Sequence, residues 1–133
     1  MKSEKAIGKA INALINKYDY SRDQLIICSK IGYVPEDADN GHRSHYFVSK
    51  LVEENKLGLD DIIFDEKNRP IHCIHPEFLN SQLNFSLDNL KLCTIDIMYL
   101  QNLIETQGPV IHKDLLNKKI AIAFEFLVIS VII

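Results

Sequence analysis

Two polar residues stand where apolar runs end. Lys30 closes Leu25-Ile26-Ile27-Cys28-Ser29, and Gln101 closes Ile95-Asp96-Ile97-Met98-Tyr99-Leu100. An ammonium at the end of a buried strand must pair with an acid, act on a nearby proton donor or reach solvent, because burying it alone is costly. All three stay open for Lys30, and the habit of strand ends to surface favours solvent. Gln101 can donate a neutral hydrogen bond but cannot protonate at useful pH. His72-Cys73-Ile74-His75 has metal-binding residue types. Strand alternation would put His72 and Ile74 on one side and Cys73 and His75 on the other, which splits the donors. No second pair at zinc-site spacing exists, so no metal is expected. His42 and His45, beside Arg43 in a polar stretch, are expected to face solvent. There is no nucleophile elbow, P-loop or G-x-G-x-x-G.

The elements that must position these residues follow from periodicity. Ile7, Ala10, Ile11, Leu14 and Ile15 recur at helical spacing and predict a helix over 4–17, with Ser3 as N-cap and Glu4 in the first turn. Leu25 to Ser29 is a short β-branched run, the pattern of a strand buried on both faces. Residues 31–76 are too long for a plain connection and are expected to carry structure of their own. Ser44 caps a helix using Phe47, Val48, Leu51 and Val52, closed by Gly58. Ile62-Ile63-Phe64 and Ile71 to Ile74 are short strands, with Asp65-Glu66-Lys67-Asn68 as the turn. His75-Pro76-Glu77 starts a helix with the stripe Leu79, Leu83, Leu87 and Leu90. Thr94 to Leu100 is a second core strand, 103–113 a loop, and a last helix begins near Asp114. Alternating strands and helices argue for an α/β protein with a parallel sheet. In such folds functional groups gather at the C-terminal ends of strands, where Lys30 and Gln101 stand.

Four segments carry a resemblance. Ser3-Glu4-Lys5-Ala6-Ile7-Gly8-Lys9-Ala10-Ile11 resembles the S-E-x-x-I-G-x-A-[IL] helix of aldo/keto reductases. Arg22-Asp23-Gln24-Leu25-Ile26-Ile27-Cys28-Ser29-Lys30 resembles their R-x-x-[LIV]-x-[IV]-x-[ST]-K strand. Asn84 to Leu90 resembles their S-L-x-x-L helix, and Thr94 to Leu100 their [LI]-D-[LIV]-x-x-[LI] strand. The match covers most of residues 3–127, with 31–76 the least typical.

The resemblance implies a (β/α)8 barrel that reduces aldehydes or ketones with NADPH. In the family a Tyr protonates the carbonyl oxygen, a Lys at the end of the third strand lowers that Tyr's pKa, and an Asp orients the Lys. A His at the end of the fourth strand hydrogen-bonds the carbonyl oxygen. Lys30 takes the Lys position and Gln101 the His position, so altered substrate choice or lower activity is expected. Asn102 would line the same mouth of the barrel. Tyr33 lies near Lys30 and counts as a pocket candidate, but its loop position does not correspond to the family's Tyr. The family's Asp and Tyr would precede Met1, and the cofactor-binding residues cannot be assigned. The expectation is a partial (β/α)8 barrel of about two to three βα units. Residues 1–133 would form a single incomplete domain, with 31–76 an elaborated loop carrying a short helix and a hairpin. Such a chain is expected to be truncated and weakly active or inactive alone. The alternative is a non-catalytic fragment that self-associates through exposed strand edges.

Composition agrees with one soluble domain. The chain has 133 residues, 47% apolar and 25% charged, with net charge −3. The pI of about 5.9 gives no electrostatic case for nucleic acid or an anionic membrane. No apolar run follows Met1-Lys2-Ser3-Glu4-Lys5, and the three cysteines Cys28, Cys73 and Cys93 read as free buried thiols, so a cytoplasmic location is expected. The apolar stretch from Ile120 to Ile133 contains Glu125 and is short for a membrane span.

Overall fold

The computed structural model describes residues 2–34, 36, 40–42, 44–55, 57–63 and 71–130. The chain is a mixture of helix and strand. In order it forms α1 (Lys2–Lys17), a 3-10 turn at Arg22–Gln24, β1 (Cys28–Ile31), α2 (Ser44–Asn55), a 3-10 turn at Leu59–Asp61, β2 (Ile62–Ile63), β3 (His72–Cys73), α3 (Pro76–Leu90), β4 (Ile97–Leu100), α4 (Leu103–Gln107) and α5 (Lys113–Ser130). Two small sheets pair β1 with β4 and β2 with β3. The chain divides into two compact units, Met1–Ile31 with Ser81–Tyr99, and Gly32–Asn80 with Leu100–Ile133.

In the first unit, α1 starts earlier than its periodicity predicts, so Ser3 lies inside the first turn and is no N-cap. Gly8 and Ile11 are its buried positions. A Cβ on Gly8 would stand 2.6 Å from the Asn89 carbonyl oxygen and 2.8 Å from that of Leu90. The last turn of α3 therefore approaches α1 as closely as backbone allows, and only glycine fits. Gly8→Ala adds helix propensity worth about 1 kcal/mol. The overlap with backbone outweighs that gain, because neither carbonyl can swing away as a side chain would. A net loss of roughly 1–2 kcal/mol is expected in urea unfolding. An unchanged or raised midpoint would mean that α1 moves freely against α3.

Glu4 is the polar hub of this unit. Its Oε1 accepts from the Ser29 and Ser86 hydroxyls, each at 2.8 Å, and its Oε2 accepts from the Asn89 amide at 3.1 Å. One carboxylate thus ties α1 to β1 and α3. The sequence reading placed Glu4 only as a first-turn acid.

The strand expected over 25–29 is displaced to Cys28–Ile31, and the one expected from Thr94 begins at Ile97. Neither is buried on both faces: Ile26 is 77% exposed, Tyr99 is 52% exposed, and along β1 only Ile31 is fully buried. The physical reason is that, among the described residues, each strand belongs to a sheet of two. Cys28 and Cys93 are exposed, contrary to the expectation of buried thiols, and only Cys73 is buried.

In the second unit, α2 and the antiparallel β2–β3 pair fall within the stretches the apolar runs predict, but Ser44 is the first residue of α2 and not its N-cap, the strands are shorter than expected, and Phe64 lies outside the described residues. Ile62 faces Cys73 and Ile63 faces His72 in antiparallel register. The turn at Asp65 to Asn68 falls outside the described residues. Val34, Val48, Leu57, Ile62, Ile71, Cys73 and Phe78 form the core, with Phe47, Leu51 and Val52 of α2 packed against it. His42 is half-buried, its ring 6.1 Å from that of Phe47, and does not simply face solvent. The stretch expected as a loop from 103 to 113 contains α4, whose first residue follows Asn102 in the left-handed conformation (φ 45°, ψ 30°). Among the described residues, no helix is long and apolar enough to cross a membrane.

Candidate functional site

In the second unit two of the sequence-derived candidates, Tyr33 and Gln101, lie against His72, which the sequence reading weighed only as a metal-type residue. His72 is fully buried in β3. Its Nε2 lies 2.9 Å from the Gln101 carbonyl oxygen, and its Nδ1 lies 2.7 Å from the Gln107 side-chain nitrogen. The Tyr33 ring packs edge-on against the imidazole, with centroids 4.4 Å apart. Backbone pairing supports this contact, because Tyr33 bridges to His72 and Cys73 N–H donates to the Gly32 carbonyl at 3.0 Å. Gly32 has φ +100°, a turn that favours glycine and brings Tyr33 alongside β3.

Asn102 is exposed and Gln101 half-buried. The Asn102 carbonyl accepts from the Thr106 hydroxyl at 2.7 Å and from the Thr106 N–H at 3.2 Å. A left-handed non-glycine residue costs about 1 kcal/mol or more, and Asn tolerates it best. These bonds are what hold the corner. The signal that could have found His72 is its type: an imidazole inside a short apolar strand must find partners when buried.

Tyr33 is half-buried, and its phenol is raised above the usual range, first by burial and then by the Glu36 charge. That shift keeps the proton on and opposes a role as an easily ionised acid. Cys73 is pushed up to about 11, chiefly by burial, so it stays a thiol at neutral pH and is a poor nucleophile or ligand. Among the described residues, no group of three metal-type side chains converges.

Lys30 belongs to the first unit. It is exposed in β1, which is the solvent-reaching alternative. The same unit holds a polar clasp at the entries to both strands. Asp96 Oδ2 accepts from Ile27 N–H at 2.7 Å and pairs with Arg22 at 2.8 Å. Arg22 also donates to the carbonyls of Leu25 and Thr94. The Ile27 N–H first, and the Arg22 guanidinium second, hold the Asp96 carboxyl below its ordinary value. A depressed folded-state pKa contributes stability that is present above the unfolded value, near pH 4, and is lost as pH falls through the folded value. Acid titration of the wild type should therefore lose a component below about pH 4 that Asp96→Asn lacks. Identical acid limbs in the two proteins would remove the clasp from the account. The carboxylate is solvent-screened, so the effect at neutral pH is small.

A dinucleotide requires backbone N–H groups around its phosphates, usually on a glycine-rich turn. The described glycines do not build one. Gly8 is closed off by α3, and Gly108 is closed off by the Ile104 carbonyl. Gly58 N–H already donates to the Asp61 carboxylate at 3.0 Å, whose charge would repel phosphate. Gly32 is packed by Ile74 and Leu100, and Gly41 stands in open space. Two cavities have defined linings. One, of about 110 Å³, lies among Asp61, Ile74, His75, Pro76, Lys119 and Ile122. The other is an open groove of about 580 Å³ between α1 and α3, lined by Lys5, Lys9, Asn12 and Phe85 among others. Neither touches Lys30, Tyr33, Gln101 or Asn102. The described glycines thus offer no phosphate cradle.

No protein-family model, curated protein or solved structure matches this chain.

Proposed function

We propose that this chain is an aldo/keto reductase-like polypeptide, corresponding to the N-terminal half of a (β/α)8 barrel. The family chemistry is NADPH-dependent reduction of an aldehyde or ketone to an alcohol. The observation that carries the reading is the pairing of β1 with β4. These are the two strands whose sequences resemble the family's third and fourth, and they are neighbours although residues 32–96 separate them in sequence. Arg22 of the first strand motif and Asp96 of the second meet in one ion pair, which adds support. In this reading Lys30 has the position that tunes the proton donor, Gln101 would donate a neutral hydrogen bond to a carbonyl oxygen, and Asn102 and Tyr33 would line the approach.

The chain alone is weakly active or inactive in this reading. It offers no match for the family's Tyr and Asp, and its described glycines give the cofactor no phosphate cradle. An NADPH titration of the purified chain tests this directly, because the protein has no tryptophan to compete with the cofactor's fluorescence. No saturable binding is expected. Saturable binding with carbonyl-dependent NADPH oxidation, lost in Lys30→Met, would overturn the expected inactivity. A second reading, self-association, is favoured by one observation. Among the described residues the β1–β4 sheet has two strands, and Ile97 (40%) and Tyr99 (52%) stand exposed on it. Elution that shifts with concentration on a sizing column supports that reading, and constant monomeric elution removes it.

A further inference from the structure

We infer that Asn40 is a spontaneous modification site, at which the chain cyclises onto Gly41 and reopens as aspartate or isoaspartate. The inference is independent of the reductase-like reading. In the first step the Gly41 nitrogen attacks the carbonyl carbon of the Asn40 side chain. A C–N bond forms, and the side-chain nitrogen leaves as ammonia, taking the proton that Gly41 gives up. Water then opens the five-membered imide at either of its two carbonyls. One opening restores the ordinary main chain with aspartate at 40. The other leads the main chain through the former side chain, as isoaspartate. Both products carry one added negative charge, and water is the sole co-reactant.

The residue pair meets the first requirement, an unhindered attacking nitrogen. Among all the asparagines of the chain, Asn40 is the one followed by glycine. The others precede Ala, Ser, Lys, Arg, Phe or Leu. A side chain on the following residue crowds the approach of its nitrogen to the asparagine carbonyl. Glycine has no Cβ and its main chain rotates into conformations that other residues avoid.

The fold meets the second requirement, room for the main chain to turn. Asn40 and Gly41 are both exposed and lie in a turn. Gly41 has φ +71°, and among the described residues nothing lies within 4 Å of the place its Cβ would take. Val34 is 1% exposed and its N–H donates to the Ile71 carbonyl at 2.9 Å. Ser44 is 8% exposed and its hydroxyl donates to the Val34 carbonyl at 3.2 Å. The core therefore holds the chain at 34 and at 44, and imide formation at 40 does not require the core to open. The helical asparagines stand in the opposite situation. Asn12 and Asn16 lie within α1, and Asn80, Asn84 and Asn89 within α3. There the next main-chain nitrogen is fixed in helical geometry, and its attack requires the helix to open locally. Asn16 also donates to the Asn12 side-chain oxygen at 2.7 Å.

The test ages the purified full chain in mildly alkaline buffer and follows tryptic peptides by mass spectrometry. Cleavage after Lys30 and Arg43 releases residues 31–43, in which Asn40 is the one carboxamide side chain. The mass change from amide to acid in that peptide therefore reads this site alone. Cleavage after Lys9 and Lys17 releases residues 10–17, which carry Asn12 and Asn16 as the internal control. Peptide 31–43 should convert at least about tenfold faster than peptide 10–17, and fragmentation should find both aspartate and isoaspartate at 40. In urea the control peptide should accelerate strongly and peptide 31–43 little, because the fold already leaves that turn open. Gly41→Ala should slow the conversion at least about tenfold by placing a Cβ beside the attacking nitrogen. Conversion of 31–43 no faster than 10–17 would overturn the inference, and this comparison needs no variant. So would an equal acceleration of both peptides in urea, a product without isoaspartate, or a Gly41→Ala chain that converts as fast as the wild type.

Discussion

Phe78→Ala should destabilise the second unit by about 3–5 kcal/mol, the largest effect of any single substitution considered. Phe78 is 2% exposed and sits in the first turn of α3, among Val34, Val48, Leu57, Ile62, Ile71 and Cys73. Among the described residues its ring is the largest of the fully buried side chains. Removing it takes away the transfer free energy of the ring and leaves a cavity that its short-stranded surroundings can close only in part. A loss of this size approaches the whole stability of a small domain. Urea unfolding followed by circular dichroism is the measurement. Phe78→Leu fills most of the space and should cost roughly 1–2 kcal/mol. Equal, small losses for both variants would show that the cluster is loosely packed.

Glu4→Ala should cost the first unit roughly 2–3 kcal/mol. The carboxylate accepts three hydrogen bonds, from Ser29, Ser86 and Asn89. Bonds to an ionised acceptor are stronger than neutral ones, and here the two hydroxyls and the amide would lose their partner together. Glu4→Gln distinguishes charge from shape. Its amide oxygen can still serve both serine hydroxyls, but its NH2 meets the Asn89 NH2 until Asn89 turns. A loss of about 1 kcal/mol is expected for Glu4→Gln. Chemical unfolding with a probe in α1 reports the difference. If Glu4→Ala proves as stable as the wild type, the three bonds exchange freely with water and α1 is held by Ile11 and the Gly8 contact alone.

Both side chains were legible to different degrees. The periodic stripe that contains Leu79 and Leu90 predicts α3, and Pro76 at its first position predicts where it starts. Phe78 follows as a core residue once the helix is granted. For Glu4, the sequence says only that an acid suits a helix N-terminus. Its partners lie up to 85 residues away, beyond anything local spacing encodes.

By itself the sequence determined α1, α2, α3 and α5, the two segments of the β2–β3 hairpin, and the mixed helix-and-strand character of the chain. These follow from hydrophobic period, proline and turn residues, which act through near neighbours. It also placed Lys30, Gln101 and Asn102 beside strand ends, though both strands begin about three residues later than their apolar runs suggest. Tertiary structure decided the rest. The exposure of β1 and β4 depends on how many strands a sheet has, which no apolar run reveals. The short α4 is too brief to form on local propensity and depends on the Asn102–Thr106 bonds for its first turn. The hydrogen bonding of His72 required bringing β3 to within reach of residues 29 and 35 positions further along the chain. A buried imidazole must find its donors and acceptors wherever the fold delivers them, so its residue type announces the need and only packing supplies the partners.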